Sequence, residues 1–328
     1  MPLAEPALPV AAVLGTLRDA LRDHGRVVLE APPGAGKTTL VPPALLGEGW
    51  PGEIVLLQPR RVATRAVARL LARRVGGGLG QTVGYQIRFE RKVSQTTRIR
   101  VVTEGILTAW LQRDPELTGV SAVILDEFHE RSLQADLALA LLKEVQEALR
   151  PDLKIVVMSA TLDAEPVAAF LDGCPMVRCE GRQHPLTVTY AARDSERPIA
   201  GQVSAAVRRL LEEMGRGEIP AGQVLAFLPG VREIDAVVAA LRAAGIGREV
   251  LPLHGRLDAR SQDRVLEPDA PPRVIVATNI AETSLTIPGV TAVVDSGLVR
   301  VSRHDPGLGM DRLELRKTSR ASADQRAG

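Results

Sequence analysis

The stretch that decides the fold spans residues 31–39 and reads APPGAGKTT. The apolar run before it, residues 26–30 (RVVLE), predicts a short buried strand, and a helix-compatible segment follows. This order of strand, small-residue loop, Lys-Thr and helix is the context in which a phosphate-binding loop forms. The common pattern opens with Gly, and this chain has Ala31 instead, so the turn there must suit a residue with a Cβ atom.

The residue types of the loop indicate how it would hold a polyphosphate. Main-chain N–H groups point into a concavity and the helix dipole adds positive potential. Lys37 is expected to reach the β- and γ-phosphates, and the Thr38 hydroxyl to ligate Mg²⁺. The expected nucleotide-binding residues of the loop are Gly34, Ala35, Gly36, Lys37, Thr38 and Thr39.

Composition limits the possible functions. The 328 residues suffice for two domains of ordinary size. Aromatic residues are only 2% of the chain, which argues against binding single strands through rows of stacked rings. The net charge of +2 means that a nucleic-acid site would have to be a local basic track. The two cysteines have no metal-ligand spacing, and no segment approaches the roughly 18 apolar residues of a membrane span. We therefore expect reduced thiols, no membrane association and a cytoplasmic location.

Basic residues follow the next buried strand. Residues 53–58 predict a strand that ends in Pro59-Arg60-Arg61, and a helix is predicted from about residue 62 to 74. Open α/β sheets bind ligands at the carboxyl ends of their strands. Arg60 and Arg61 are therefore predicted to contact phosphates. The alternative is a solvated basic helix face.

Two acids and a histidine follow a further strand, predicted over residues 122–125. Asp126 would hold Mg²⁺ through water, and Glu127 would polarise the water that attacks the γ-phosphate. His129 is less certain than the two acids, because a histidine near a strand end is often a hydrogen-bonded structural residue. The strand 154–158 ends in Ser159-Ala160-Thr161, whose hydroxyls are candidates to connect the acid pair to a second domain.

The pattern changes after residue 179. Residues 180–185 read as a linker, and residues 186–190 alternate as in a strand. A second series then alternates strands with helices and predicts a second, mostly parallel sheet. Its predicted strands are 223–227, 249–253, 273–277 and 290–294, and its predicted helices lie near 200–214, 231–244 and 258–266.

The second series carries a different kind of strand end. No second phosphate loop is visible in the sequence, and the polar run 278–288 follows a predicted strand. The hydroxyls and the amide of that run suit sugar-phosphate contacts. Residues 298–319 predict a β-hairpin with five basic residues, and composition alone fits a plain charged hairpin equally well.

Taken together, these stretches resemble the superfamily 2 helicases, specifically the DEAH-box group and its bacterial HrpB type. The matching motifs occur in the order of the family over nearly the whole chain. They are motif I at residues 34–39, Ia at 59–61, Ib at 103–105, II at 126–129 (with Phe128 where the family name has Ala), III at 159–161, IV at 227–230, V at 277–288 and the first part of VI at 319–328.

The resemblance implies a fold and a set of roles. It implies an α/β fold of two tandem RecA-like domains, residues 1–182 and 183–328, with Mg²⁺-ATP in the cleft between them and a nucleic-acid strand across the top. Hydrolysis and its coupling would involve Asp126, Glu127, His129, Ser159, Thr161 and Gln325. The hairpin 298–319 would part the duplex. The residues that would contact the nucleic-acid strand are Arg60, Arg61, Thr103, Gly105, Thr278, Asn279 and Thr283.

One departure from the family matters. Its motif VI continues with two further arginines that act on the transferring phosphate, and helical and oligonucleotide-binding domains follow them; this sequence has neither. A missing arginine finger costs about 10³–10⁵ in rate. We therefore expect a fragment that binds nucleotide and hydrolyses it poorly.

The predicted function is an ATP-dependent helicase that acts as a monomer on single-stranded or duplex nucleic acid. RNA is preferred over DNA by resemblance only, because no residue here distinguishes the 2′-hydroxyl. Two alternatives stay open: a translocase or remodelling ATPase that does not unwind, and a non-enzymatic nucleic-acid clamp. A simple P-loop kinase would leave the second sheet and the basic strand ends without a role.

Overall fold

The computed structural model describes residues 8–160, 164–180, 186–191, 197–267, 270–282 and 287–327. The chain divides into two compact units, Met1–His184 and Pro185–Gly328, which are treated separately below. The domain boundary expected at residues 182/183 lies outside the described residues. Among the helices of the described ranges, none combines the length and apolar character that crossing a bilayer requires.

The first unit is built on one eight-stranded sheet with the order β4-β3-β5-β2-β6-β7-β1-β8. Its neighbouring strands are parallel except β3 and β4, which form an antiparallel pair. The strands are β1 Arg26–Glu30, β2 Glu53–Gln58, β3 Val83–Ile87, β4 Glu90–Lys92, β5 Ile99–Thr103, β6 Val120–Leu125, β7 Lys154–Ser159 and β8 Met176–Arg178.

Helices cover both faces of this sheet. They are α1 Leu14–His24, α2 Lys37–Leu46, α3 Arg61–Val75, α4 Glu104–Arg113, α5 Leu133–Ala148 and α6 Glu165–Phe170, with short 3₁₀ helices at Pro9–Val13 and Phe128–Glu130. α1 ends because Gly25 adopts the left-handed conformation and donates its N–H to the Leu21 carbonyl. α5 begins because the Ser132 hydroxyl accepts the N–H of Ala135.

The apolar strands of the first unit feed two cores. Along β6, Ala122 and Ile124 pack into the core shared with α1, α2 and α3. Val123 and Leu125 point the other way, into the core shared with α4, α5 and α6. Successive strand residues face opposite sides, and a parallel sheet is buried on both, so a continuous apolar run is what this position requires. Because the strands are parallel, their carboxyl ends lie along one edge of the sheet, which we call the ligand edge.

The second unit contains a four-stranded parallel sheet with the order β10-β11-β9-β12. A separate antiparallel hairpin pairs β13 with β14. The strands are β9 Gln223–Phe227, β10 Val250–Leu253, β11 Val274–Ala277, β12 Val290–Asp295, β13 Leu298–Asp305 and β14 Met310–Lys317. The helices are α7 Ile199–Gly215, α8 Val231–Ala243, α9 Ala259–Val265 and α10 Arg320–Ala327, with a 3₁₀ helix at Asn279–Ala281.

The α/β prediction with two mostly parallel sheets and a hairpin is confirmed. The strand predicted over residues 186–190 is wrong: this segment is described and carries no strand. Leu186 and Val188 are each 58% exposed and Tyr190 is 94% exposed, so no neighbour buries the apolar side of the alternating pattern. The residues of the predicted linker from 181 to 185 lie outside the described ranges.

Candidate active site

The phosphate-binding loop joins β1 to α2 at the ligand edge. Gly34 and Gly36 adopt left-handed φ values of 73° and 90°, which favour glycine. Ala31, where the common motif has Gly, instead continues the strand ladder and donates its N–H to the Ser159 carbonyl at 3.0 Å. Because Ala31 lies in extended backbone beside β7, a Cβ atom is accommodated there.

The N-terminal segment supports this loop from behind. The N–H of Val10 donates to the Ala35 carbonyl at 3.0 Å. A Cβ atom on Gly36 would lie 2.7 Å from Leu8 Cδ1, so only glycine permits this approach. The loop is therefore held in place by residues outside the motif.

The loop ends in the first turn of α2, where Lys37, Thr38 and Thr39 point to different partners. Lys37 is 4% exposed, and its Nζ lies 3.4 Å from the Ala31 carbonyl oxygen. The Thr38 hydroxyl donates to Asp126 Oδ2 at 2.6 Å. The Thr39 hydroxyl donates to the Gly36 carbonyl at 3.1 Å and so stabilises the helix start. A buried ammonium beside a helix N-terminus is a site for an anion.

Asp126 is the centre of the acid pair and is almost fully buried. Besides Thr38, its carboxylate accepts the Gln58 side-chain amide at 2.6 Å and the Glu127 N–H at 2.9 Å. Burial and the neighbouring charge of Glu127 raise the pKa of Asp126 to about 6, although Lys37 and the Thr38 hydrogen bond oppose the rise. The position favours a bound cation, because a cation would offset the desolvation of this charge.

His129 connects the acid pair to the end of β7. The Ala160 N–H donates to its Nδ1 at 3.3 Å, and its Nε2 lies 3.4 Å from Glu127 Oε2. Because Nδ1 accepts a hydrogen bond, the proton of the neutral ring belongs on Nε2, facing Glu127. Burial, and secondarily the charge of Lys37, lowers the pKa of His129, which favours this neutral form.

The backbone is strained on both sides of His129. Glu127 and Arg131, which flank the 3₁₀ helix Phe128–Glu130, have left-handed φ values of 52° and 49°. Such a conformation costs on the order of 1–3 kcal/mol for a residue with a Cβ atom and occurs often at functional sites. The left-handed backbone at Glu127 turns the chain away from the direction of β6, and its carboxylate therefore lies beside His129.

The donor set suits magnesium. In the described ranges, no group of three or more His, Cys, Asp or Glu side chains is arranged to hold a metal. The site offers the Thr38 hydroxyl and two carboxylates, all oxygen donors. Mg²⁺ is commonly held by one or two carboxylates together with substrate phosphates and water, so these residues fit a nucleotide-bound Mg²⁺.

The residues of the first unit that are predicted to contact nucleic acid also lie at the ligand edge. Arg60 caps α3, and its Nη2 lies 3.3 Å from Glu130 Oε2. Arg61 is exposed at the first position of α3. Thr103 precedes α4, and Gly105 is exposed with no heavy atom within 4 Å of a Cβ placed on it. These residues occupy neighbouring positions on one surface, as backbone contacts to a strand would require.

The remaining predicted residues belong to the second unit or are outside the described ranges. Thr278 and Asn279 follow β11 at its carboxyl end and are partly buried. Gln325 lies in α10. Thr161 and Thr283 are not among the described residues.

Two buried residues, Gln58 and Arg326, contact other residues at the strand ends and were not singled out from the sequence. The Gln58 amide donates to Asp126. The polar side chain at the end of an otherwise apolar strand could have indicated that Gln58 belongs to the site. Arg326 is 4% exposed and donates to Glu282 and to Asp295, each at 2.8 Å. Its guanidinium also stacks over the Phe227 ring, 5.0 Å from the centroid. Arg326 lies in the segment 319–328 that resembles motif VI, but no role was predicted for it.

Comparison with known protein families gives two matches. A model described as DEAD/DEAH box helicase matches residues 15–170. A model described as helicase conserved C-terminal domain matches residues 205–328. Together they account for most of both units.

Individual relatives agree with the family matches. The Escherichia coli K12 "ATP-dependent RNA helicase HrpB" is 48% identical over 98% of this chain, and "ATP-dependent RNA helicase HrpA" from the same organism is 39% identical over 98%. The chain spans 40% of the HrpB sequence and 25% of the HrpA sequence. A crystal structure of the E. coli DEAH/RHA helicase HrpB superposes with a TM-score of 0.88 at 48% identity, covering 98% of this chain and 41% of the HrpB chain.

Proposed function

The chain belongs to the DEAD/DEAH box helicases, and we propose that it forms the ATP-hydrolysing core of an RNA helicase. In this proposal residues 1–182 are the ATP-binding domain and residues 183–328 are the helicase C-terminal domain. The RNA substrate is proposed because the HrpB and HrpA relatives are named ATP-dependent RNA helicases. A monomer in the cytoplasm is the proposed state and location of the protein.

One observation carries the proposal. The 2.6 Å hydrogen bond from Thr38 to Asp126 joins the phosphate-binding loop to the acid pair, so phosphate, magnesium and attacking water would meet beside them. The chain supplies Lys37 for the β- and γ-phosphates, and Thr38 and Asp126 for Mg²⁺. Bound there, Mg²⁺ would neutralise charge on the transferring phosphoryl group.

Glu127 is the proposed general base. Its carboxylate, placed by the left-handed backbone, orients a water molecule and accepts its proton. The neutral His129 donates its Nε2–H to Glu127 and thereby favours the ionised carboxylate, while the Ala160 N–H fixes the ring orientation. Gln325 of the second unit is proposed to act on the γ-phosphate, and Thr161 to assist Ser159.

The proposed strand track consists of backbone contacts. Arg60, Arg61, Thr103 and Gly105 would bind in the first unit, and Thr278, Asn279 and Thr283 in the second. Contacts of this type read phosphates and sugars, so binding is expected to be weakly dependent on sequence and strongly dependent on salt.

The test is ATP turnover by the protein in the presence of RNA, of DNA of the same sequence, or of neither. RNA is expected to stimulate turnover most, and Lys37→Ala is expected to lower turnover about 10²–10³-fold. Lys154→Ala, at the amino end of β7, is the matched control and should leave turnover unchanged. Equal stimulation by DNA would contradict the RNA preference. ATP turnover without strand displacement in a duplex assay would identify a translocase instead.

A further inference from the structure

The segment from Glu127 to Ser132, which we call the linking turn, contacts more than the acid pair. Two backbone hydrogen bonds close it, from Glu130 N–H to the Glu127 carbonyl at 3.0 Å and from Arg131 N–H to the Phe128 carbonyl at 3.1 Å. It begins at the proposed base, and left-handed residues occur at positions 127 and 131. A movement of this segment would therefore displace the Glu127 carboxylate.

The linking turn contacts both loops of the first unit that are proposed to bind the nucleic-acid strand. Glu130 pairs with Arg60 at 3.3 Å, at the end of β2. The Ser132 hydroxyl donates to Glu104 Oε1 at 2.7 Å, between the two proposed strand contacts Thr103 and Gly105. The turn thus connects the hydrolytic carboxylate to the loops on which the strand would lie.

The pair between Glu130 and Arg60 is suited to exchange. Arg60 Nη2 pairs with Glu130 Oε2 at 3.3 Å, and the two side chains are 26% and 22% exposed, so solvent reaches the pair. Ion pairs that solvent reaches contribute little to stability. A strand phosphate, by contrast, can accept two parallel hydrogen bonds from a guanidinium group. A phosphate arriving at Arg60 therefore competes directly with the Glu130 carboxylate.

We propose that Glu130 is a positioning residue that transmits strand binding to Glu127. In the absence of a strand, Arg60 holds Glu130 and fixes the linking turn. When a strand phosphate binds Arg60, the pair between Glu130 and Arg60 breaks, and the turn between the two left-handed residues takes a second arrangement in which Glu127 is better aligned with water. The inference rests on the proposed function, since it concerns RNA-stimulated hydrolysis at the same site.

The main test is Glu130→Ala in the protein, with turnover measured at increasing concentrations of single-stranded RNA. Because this change removes the pair with Arg60, as strand binding does, turnover without RNA is expected to rise about 5- to 10-fold, a coupling of ordinary size, so that RNA stimulates turnover much less. Turnover at saturating RNA and the KM for ATP should stay within about twofold. RNA affinity should stay the same or rise by up to about fivefold, because Arg60 no longer has Glu130 as a competing partner. A merely structural defect would lower RNA affinity and turnover together.

Asp152→Ala is the matched control. It removes an exposed aspartate–arginine pair, Asp152–Arg150 at 2.7 Å, from the opposite edge of the same sheet. All four measurements should be unchanged in this variant. Glu130→Gln, which keeps the shape of the side chain, is the second variant if Glu130→Ala folds poorly, and it should show the same loss of stimulation.

A double-substitution cycle tests whether Glu130 acts through Arg60. With Arg60→Ala already present, Glu130→Ala should cause no further loss of stimulation. Normal stimulation in Glu130→Ala, or additive losses in the cycle, would overturn the linkage alone. No stimulation by RNA in the unchanged protein would overturn the proposed function, and this inference with it.

Discussion

Each unit places two carboxylates at the carboxyl edge of a parallel sheet, but the partners of the two pairs differ. In the first unit, Asp126 is surrounded by neutral donors, and its pKa rises to about 6. In the second unit, Glu282 and Asp295 share the guanidinium of Arg326. Each carboxylate of the second pair therefore contacts a guanidinium directly, whereas the hydrogen bonds described for Asp126 come from neutral groups and the charge of Lys37 only opposes the rise of its pKa.

The comparison separates a reactive arrangement from a structural one in two sheets of the same kind. A buried carboxylate without a close cation costs stability, and it lowers this cost by binding a cation or a proton. A carboxylate pair that contacts a buried arginine directly has part of its charge balanced by the chain, and it holds its neighbours together. Here Arg326 attaches α10, which carries Gln325, to Asp295 at the end of β12 and to Glu282, which follows the 3₁₀ helix after β11. Fold alone therefore does not indicate which strand ends carry chemistry.

The largest effect is expected for Glu127→Gln, which removes the proposed base from the carboxylate pair of the first unit. The amide cannot accept a proton, so turnover is expected to fall about 10²–10⁴-fold while the affinity for a fluorescent ATP analogue is retained. Steady-state turnover and equilibrium titration measure the two quantities. Glu116→Gln, an exposed change before β6, should alter neither, and a loss below tenfold in Glu127→Gln would contradict its role as the base.

Arg326→Ala tests the structural pair. Removing the guanidinium leaves two carboxylates uncompensated, and we expect a loss of about 3 kcal/mol in the free energy of opening of β9 and β12. Hydrogen exchange of the amides in those strands measures it. Arg316→Ala, in the exposed hairpin, should change it by less than about 0.5 kcal/mol. Similar effects from both variants would show that burial of Arg326 is unimportant.

A smaller effect should appear as a pH dependence. The native pKa of Asp126, about 6, lies above the ordinary aspartate value near 4, so the folded state binds more protons between these values. Without nucleotide and magnesium, the contribution of Asp126 to the free energy of unfolding of the first unit should therefore fall as pH rises from about 4 to 6, by about 2 kcal/mol, and then level off.

Urea denaturation between pH 4 and 7 measures this dependence. Asp126→Asn should remove it, because the amide does not titrate in this range. Asp295→Asn, in the pair that contacts Arg326, should leave it in place. A difference in stability between the parent protein and Asp126→Asn that does not change between pH 4 and 6 would refute the assignment to Asp126.

The sequence predicts some elements closely and others not at all. Strands 26–30, 53–58 and 223–227 have the predicted bounds, because each is a continuous apolar run between turn-forming residues. The strands β3, β4 and β8 escape prediction because none of them is a continuous apolar run: β3 contains Gly84 and Gln86, β4 is entirely charged, and β8 has only three residues. The order of the strands depends on contacts between distant segments, which no local pattern encodes.

The candidate site divides in the same way. Lys37, Thr38, Asp126 and Glu127 are recognisable because their chemistry requires particular residue types at fixed spacing after a strand. The contact of Glu130 with Arg60 joins residues 70 positions apart and has no local signature. The alternation of residues 186–190 misled because period two indicates a strand only where a neighbour pairs with it.

The packing of Leu8 and Val10 behind the phosphate-binding loop has a practical consequence. A shortened chain that starts at α1 would lose the Val10–Ala35 hydrogen bond and the side chain that covers Gly36. Such a chain would keep every residue of the motif and still present a loosened nucleotide cradle. Affinity tags attached directly ahead of Leu8 would likewise sit against the catalytic loop, so a spacer should precede this residue in any purified version.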